Sequence, residues 1–231
     1  MSIIVFTKKL FSLILRPNAL MSSIKYHVYL KYRPIDWEMR AQNMGRLAVL
    51  DSRHTNEEYE AVTVLQKQTI YPLLEQFLLP SDKIVLDFGC GVGRFTADLA
   101  GLVGGESLGV DVSQNLLDLC SEAPNVRYSL ISEINDLSHG KFDVIFCCLV
   151  LGGIGNKKLV ETVNLLDQLL SENGLIFLVE STGVKYQPGN WRVRTVSFYQ
   201  KLIPNCELVR VGSYIDAGQE ISVMAGRRTY A

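Results

Sequence analysis

The run Asp87-Phe88-Gly89-Cys90-Gly91-Val92-Gly93 sets a carboxylate before three glycines at alternate positions. Without Cβ atoms, such a loop turns sharply and lets a ligand lie against backbone. A helix expected to begin near Gly93 turns its free N–H groups toward the same spot. A second acid, Asp111, follows about twenty residues later, the spacing at which a carboxylate meets a nucleotide ribose. The chemistry is therefore nucleotide binding by backbone and two acids. The G-x-G-x-G spacing differs by one residue from the dinucleotide fingerprint. An acid beside a dianionic pyrophosphate is unfavourable, whereas a cationic, aminoacyl-bearing ligand tolerates Asp87 or uses it. Two groups suited to moving a proton stand elsewhere: His54 in a loop, and Glu180 at the end of an apolar strand.

The elements that must hold these residues follow from periodicity. Ile84-Val85-Leu86 reads as a central strand buried on both faces, ending at Asp87. A helix is expected over about 94–102, a strand over 107–110 ending at Asp111, and a helix over 113–120 capped by Ser113. Strands follow over 125–131 and 142–149, then a helix over 156–170 and a strand over 174–179 ending at Glu180. This alternation implies a doubly wound parallel sheet. After a helix over 191–202, residues 206–212 and 220–225 read as two strands with no helix between them, an antiparallel hairpin. The expected fold class is α/β: a doubly wound, mostly parallel seven-stranded sheet ending in an antiparallel hairpin.

Before the sheet, Thr55 and Glu58 fit a capping box for a helix from about 56 to 79, with a kink expected at Pro72. Residues 1–55 form an N-terminal extension, a helical lid or packing arm, and 56–231 form the nucleotide-binding domain. Ile3, Phe6, Leu10, Leu13 and Ile14 recur at helical spacing opposite Lys8, Lys9 and Arg16. Such a helix packs on its own domain or on a second subunit, and its basic side also suits a peripheral membrane contact. Tyr26, Tyr29, Tyr32, Pro34 and Trp37 make an aromatic, basic patch with two readings, packing or a lid over substrate.

The 231 residues carry a formal net charge of −1, which provides no global attraction to nucleic acid, so none is expected as a partner. Cys90, Cys120, Cys147, Cys148 and Cys206 form no C-x-x-C pair and the three histidines lie far from them, so no metal site is expected. Unpaired thiols in core segments fit a reducing cytoplasm. No apolar run reaches the roughly 20 residues of a membrane span.

Val85-Leu86-Asp87-Phe88-Gly89-Cys90-Gly91-Val92-Gly93 and Leu108-Gly109-Val110-Asp111-Val112-Ser113 together resemble the first two motifs of the class I S-adenosylmethionine-dependent methyltransferases. Phe142-Asp143-Val144-Ile145-Phe146-Cys147-Cys148-Leu149 is similar to that family's fourth strand, and Ser171-Glu172-Asn173-Gly174-Leu175-Ile176-Phe177 to its turn into the fifth. The resemblance covers residues 83 to about 226. It implies S-adenosyl-L-methionine as cofactor, with Gly89, Cys90, Gly91 and Gly93 along its methionine part and Asp87 at the amine. It places Asp111, with Val112, at the ribose. Ser132 and Glu133 flank the adenine, and Cys148 and Leu149 lie near the sulfonium. The third motif, Leu130-Ile131-Ser132-Glu133-Ile134, lacks the usual Asp, which Glu133 or Ser132 replaces.

The implied activity is methyl transfer to a hydroxyl, amine or thiol of a small molecule, sugar or lipid head group, a hydroxyl above all. Many small-molecule members carry a histidine just after the fourth strand. Here Gly153 stands in its place, which is expected to open space and leaves His54 and Glu180 as the base candidates. Tyr186, Trp191 and Tyr199 fall in the segment expected to wall the acceptor. The aromatic, basic N-terminus favours an anionic or glycan-type acceptor. Two other classes stay open: a catalytically silent cofactor-binding interaction module, suggested by Gly152-Gly153, and an NAD-dependent oxidoreductase, which the glycine spacing and hairpin oppose.

Overall fold

A computed structural model describes residues 35–136, 141–183 and 191–229. The expected helix over residues 1–16, the aromatics Tyr26, Tyr29 and Tyr32, and Tyr186 lie outside the described residues, and with them any contact to a membrane or second subunit. Among the described residues no helix is long and apolar enough to cross a membrane.

Helix α1 (Trp37–Met44), a 3-10 turn over Gly45–Val49 and helix α2 (Tyr59–Glu75) precede the sheet. Then come β1 (Ile84–Phe88), α3 (Thr96–Val103), β2 (Glu106–Asp111), α4 (Gln114–Leu117), β3 (Val126–Leu130), a 3-10 helix over Ile131–Asp136 and β4 (Phe142–Cys148). A 3-10 turn over Leu151–Gly153, α5 (Asn156–Leu169), β5 (Leu170–Ser181), α6 (Val196–Leu202), β6 (Val209–Asp216) and β7 (Gln219–Arg227) complete the chain. The strand order is β3-β2-β1-β4-β5-β7-β6. The first five strands in that order pair in parallel; β5–β7 and β7–β6 are antiparallel. The expected sheet is therefore present, hairpin included. Its tip, Ala217-Gly218, takes φ of 45° and 75°, the left-handed pair that lets a two-residue turn follow the twist of its strands.

The alternation of side chains along buried strands divides the core in two. On one face, Leu86, Ile145, Leu178 and Met224 meet Leu159, Val163 and Leu166 of α5 and Tyr199 of α6. On the other, Val85, Val144, Phe146, Phe177 and Val223 meet Ile70 and Leu74 of α2 and Phe95 and Leu99 beside α3. Phe146 and Phe177 stack with ring centroids 5.8 Å apart and 9° between planes.

Several element boundaries differ from the sequence reading: α4 spans only Gln114–Leu117 of the expected 113–120, β5 begins at Leu170 rather than 174, β6 spans Val209–Asp216 rather than 206–212, and α2 ends at Glu75 rather than 79. The helix after the glycine loop begins at Thr96 rather than near Gly93, because Thr96 turns its hydroxyl onto Asp87. Helix α2 begins at Tyr59, three residues after the expected start. The Glu58 carboxylate accepts from Thr55 N at 2.8 Å, one half of a capping box. Helix α6 spans only 196–202, because Arg194 is drawn away to Leu151 O at 2.7 Å and Ile154 O at 2.7 Å, and Thr195 then caps the helix.

Phe177 is fully enclosed while Ile215 at the sheet edge is 66% exposed. Phe177→Ala is expected to cost about 3–5 kcal/mol in urea unfolding, and Ile215→Ala about 0.5 kcal/mol or less. Equal losses would contradict the packing described.

Candidate functional site

The glycine loop leaves β1 at its carboxyl end. Gly89, Gly91 and Gly93 all have positive φ, 74°, 58° and 73°, so each position disfavours a side chain through its backbone alone. Close neighbours add a second constraint. A Cβ on Gly89 would stand 2.4 Å from Val150 Cγ2, and one on Gly91 2.4 Å from Val49 Cγ1. Residue 49 belongs to the N-terminal extension, so α1 and its 3-10 turn reach across the loop. Ala41 and Ala48 pack there with Leu116, Met44 and Val92. Glu38 fastens this arm, accepting from Ser113 Oγ and from Asn115 Nδ2 at 2.7 Å. Sequence reasoning did not single out Glu38, although it is one of two acids in a basic stretch of fifty residues.

Asp111 joins the loop to β2. Its Oδ2 accepts from Gly91 N at 2.9 Å and its Oδ1 from Ser113 N at 3.0 Å. Burial raises its carboxyl, and these N–H bonds work against that rise. Asp87 lies under the same loop, 2% exposed, accepting from Thr96 Oγ1 at 2.6 Å. Burial pushes its carboxyl up to about 7, with Thr96 and Arg94 opposing. The structure thus brings Asp87, Gly89, Cys90, Gly91, Gly93 and Asp111 together at adjoining strand ends. Val112 follows, half exposed. Ser132 and Glu133 are exposed beyond β3, where Glu133 accepts from Ser129 Oγ.

Beyond β4, Leu149 has φ 57°. A left-handed angle at a branched residue is strained, and its N–H holds Val179 O at 2.7 Å. No sequence pattern announces that angle. Cys148 is half-buried, with its thiol pushed up to about 12 chiefly by desolvation. Gly152 and Gly153 do not open space. Trp191 lies over them, 2.3 Å from where a Cβ on Gly152 would sit, and Trp37 flanks Gly153 at 3.4 Å. The expected vacancy is filled by an indole from the chain after β5.

Glu180 has no exposure. Its Oε1 accepts from Val150 N at 2.9 Å and Leu151 N at 2.6 Å, and its Oε2 from Gly152 N at 3.3 Å. Burial lifts its carboxyl to about 7, against these bonds. So placed, it holds the turn after β4 and is enclosed rather than presented to the cleft. His54 is far from it in role: its Nε2 lies 2.7 Å from Asp216 Oδ1 at the end of β6, and its Nδ1 3.9 Å from Glu58 Oε2. His54 thereby joins the loop before α2 to the terminal hairpin, with Asp216 as an orienting carboxylate that the sequence did not pair with it.

Residues 85–174 match the model of a methyltransferase domain. Protein RP028 of Rickettsia prowazekii (strain Madrid E) is 34% identical over 106 residues, 42% of this chain and 42% of that protein. Protein 235L of Invertebrate iridescent virus 6 is 31% identical over 87 residues, 37% of this chain. The chain spans less than half the length of these two curated relatives, 42% and 33%. Among solved structures, magnesium protoporphyrin IX methyltransferase of Synechocystis PCC 6803, with SAH bound, superposes with TM-score 0.59 at 14% identity, covering 90% of this chain and all of that one. A SAM-dependent methyltransferase from Aquifex aeolicus superposes with TM-score 0.56 at 15% identity, covering 75% of this chain and 99% of that one.

The buried acids make stability depend on pH. Asp87 and Glu180 have folded values of about 7 against ordinary values of 3.8 and 4.5. As pH rises, the unfolded chain releases these protons first, so stability falls between about pH 4 and pH 7 and levels above, by a few kcal/mol as an order of magnitude. Urea unfolding across that range checks this; Asp87→Asn should shallow the decline, and an unchanged slope in that variant would refute the assignment to Asp87.

Proposed function

We propose that the chain is a class I S-adenosylmethionine-dependent methyltransferase, a reading supported by the methyltransferase-domain match over residues 85–174 and by the seven-stranded sheet, and that it methylates a hydroxyl on a small-molecule, sugar or lipid-type acceptor. The observation that carries the reading is the loop of three left-handed glycines tied by Gly91 N to the buried carboxylate of Asp111. The residues present fit S-adenosylmethionine. Three glycines with positive φ make a tight loop whose backbone suits a ligand, and desolvated Asp87 suits an ammonium rather than a phosphate.

The bound donor supplies a methyl group on a sulfonium, already an activated leaving group. The chain's own residues then have to align, exclude water and take a proton. In this reading Asp111 and Val112 hold the ribose, Asp87 the amine, and Ser132 with Glu133 flank the base. Leu149, held at φ 57°, and Cys148 shape the wall beside the methyl group. Glu180 acts as a positioning residue: by binding Val150, Leu151 and Gly152 N–H groups it fixes the turn that carries that wall. His54, oriented by Asp216, is the group that accepts a proton from the acceptor. Residues 37–49, lying across Gly91 and flanking Gly153 through Trp37, serve as a lid.

S-adenosylhomocysteine should raise the melting temperature of the chain and NAD should not. Stabilisation by NAD alone would reverse the reading. Asp111→Ala is expected to weaken S-adenosylhomocysteine binding by roughly tenfold or more, since it removes both a ribose partner and the loop's anchor. His54→Gln should keep that affinity and lose methyl transfer in panels of labelled glycan and small-acid acceptors. Label appearing only on RNA or protein would sink the acceptor assignment, and binding without transfer to any acceptor would favour a silent binding module.

A further inference from the structure

Two thiols meet at the glycine loop. Cys90 sits within the loop, buried, and Cys120 follows α4, partly exposed. Cys90 Sγ lies 3.8 Å and Cys120 Sγ 3.5 Å from one oxygen, Gly91 O. The two sulfurs also share a hydrogen bond, which together with burial pushes the Cys90 thiol up. Room for the Cys90 sulfur is built into β2, where a Cβ on Gly109 would stand 3.0 Å from it. A single buried cysteine behaves as a small hydrophobe. Two with their sulfurs in contact need only lose two hydrogens to bond. Cys147 and Cys148 are neighbours on β4 but pack into opposite core layers.

The two cysteines differ in freedom. Cys90 N is held by Val110 O at 3.0 Å, within a loop pinned to β2. Cys120 N bonds Leu117 O at 3.0 Å, closing the turn after α4, and residues 121–123 beyond it have no regular structure. Cys120 is therefore the partner able to approach, and the one that solvent reaches.

We propose that Cys90 and Cys120 form a reversible disulfide that distorts the glycine loop and weakens donor binding. The bond stands apart from the methyl-donor reading; its effect on binding rests on it. The oxidant is a small-molecule disulfide such as glutathione disulfide. Cys120 Sγ attacks one of its sulfurs, a mixed disulfide forms, and the first glutathione thiolate leaves with the Cys120 proton. Cys90 Sγ then attacks Cys120 Sγ, and its proton goes to the second departing thiolate. Two protein thiols have lost two electrons and two protons, and the oxidant's disulfide has become two thiols. Bonded sulfurs stand about 2.05 Å apart, and both S–H donors are lost from Gly91 O. Gly91 is also the residue whose N–H Asp111 holds and whose φ is 58°, so the change falls on the tie between loop and β2. By reciprocity, a donor seated on the loop opposes oxidation by the same factor.

The full chain, incubated with glutathione disulfide with and without S-adenosylhomocysteine, is digested and mapped by mass spectrometry, and its affinity for S-adenosylhomocysteine is titrated before and after. A cross-linked Cys90–Cys120 peptide, lighter by two hydrogens, is expected, less of it when S-adenosylhomocysteine is present. Affinity should fall roughly tenfold or more and return with dithiothreitol. Cys120→Ser, whose hydroxyl can still donate to Gly91 O, should bind as the reduced chain does and lose nothing to the oxidant. Glutathione adducts without the cross-link, a cross-link with unchanged affinity, or an equal loss in Cys120→Ser would each overturn the proposal. Failure of the reduced chain to bind S-adenosylhomocysteine refutes the methyl-donor reading instead. The peptide map then still decides the bond, and amide exchange at Gly91, expected to quicken on oxidation, decides whether the loop is distorted.

Discussion

Backbone N–H groups at the ends of a parallel sheet must find acceptors, and here carboxylates from neighbouring strands supply them. Asp111 at the end of β2 takes Gly91 N and Ser113 N. Glu180 near the end of β5 takes three consecutive N–H groups of the turn after β4. Asp143 at the start of β4 takes Lys83 N and Ile84 N at 2.8 and 3.0 Å, fixing the entry to β1. Each acid ties one strand's loop to another strand. The geometry of the glycine loop is therefore a property of three strands rather than of its own residues. That dependence explains why acids are tolerated at positions with so little solvent.

This arrangement also accounts for what was legible in the sequence. The strands around Val85, Val144 and Phe177 are apolar on both faces, and such runs declare themselves. The glycines and Asp111 declare themselves by spacing. Residues that act through a partner distant in sequence do not. Arg94 and Gln66, 28 positions apart, meet only because α2 packs on the face that holds Phe95 and Phe146. His54 and Asp216 are separated by 162 positions and meet only because β6 is the sheet's outer strand, reached through β7. Glu180 was legible as an acid at a strand end, but the three donors that enclose it come from β4's turn.

The glycines at 152 and 153 show the opposite error. Read along the chain, a missing side chain suggests room. In the folded chain their lack of Cβ atoms admits the Trp191 indole, and Arg192 N then bonds Gly152 O at 2.8 Å. Arg194 continues the clamp onto Leu151 O, Ile154 O and Asn156 Oδ1. The segment after β5 is thus locked to the turn after β4, which Glu180 holds from below. Small residues here serve close packing, and the wall beside β4 is correspondingly firm.

Firmness at this edge coexists with strain and uncompensated polarity. Leu149 holds a left-handed angle, Asp87 and Glu180 are carboxyls raised by burial, and Gln66, Ser181 and Tyr214 carry unpartnered polar atoms. Each of these disfavours the folded chain. Leu149, Asp87, Glu180, Ser181 and Tyr214 lie at or near the carboxyl ends of β1, β4, β5 and β6; at the opposite end Asp82 pairs with Arg227 at 2.5 Å, although Arg228 Nε beside it is unpartnered too. Two continuous apolar layers on the sheet's faces offset the cost. An edge held by such bonds has its polar groups fixed before any ligand arrives. A cation beside Asp87 would then be met by dipoles and charges already in place, with little reorganisation left to oppose binding.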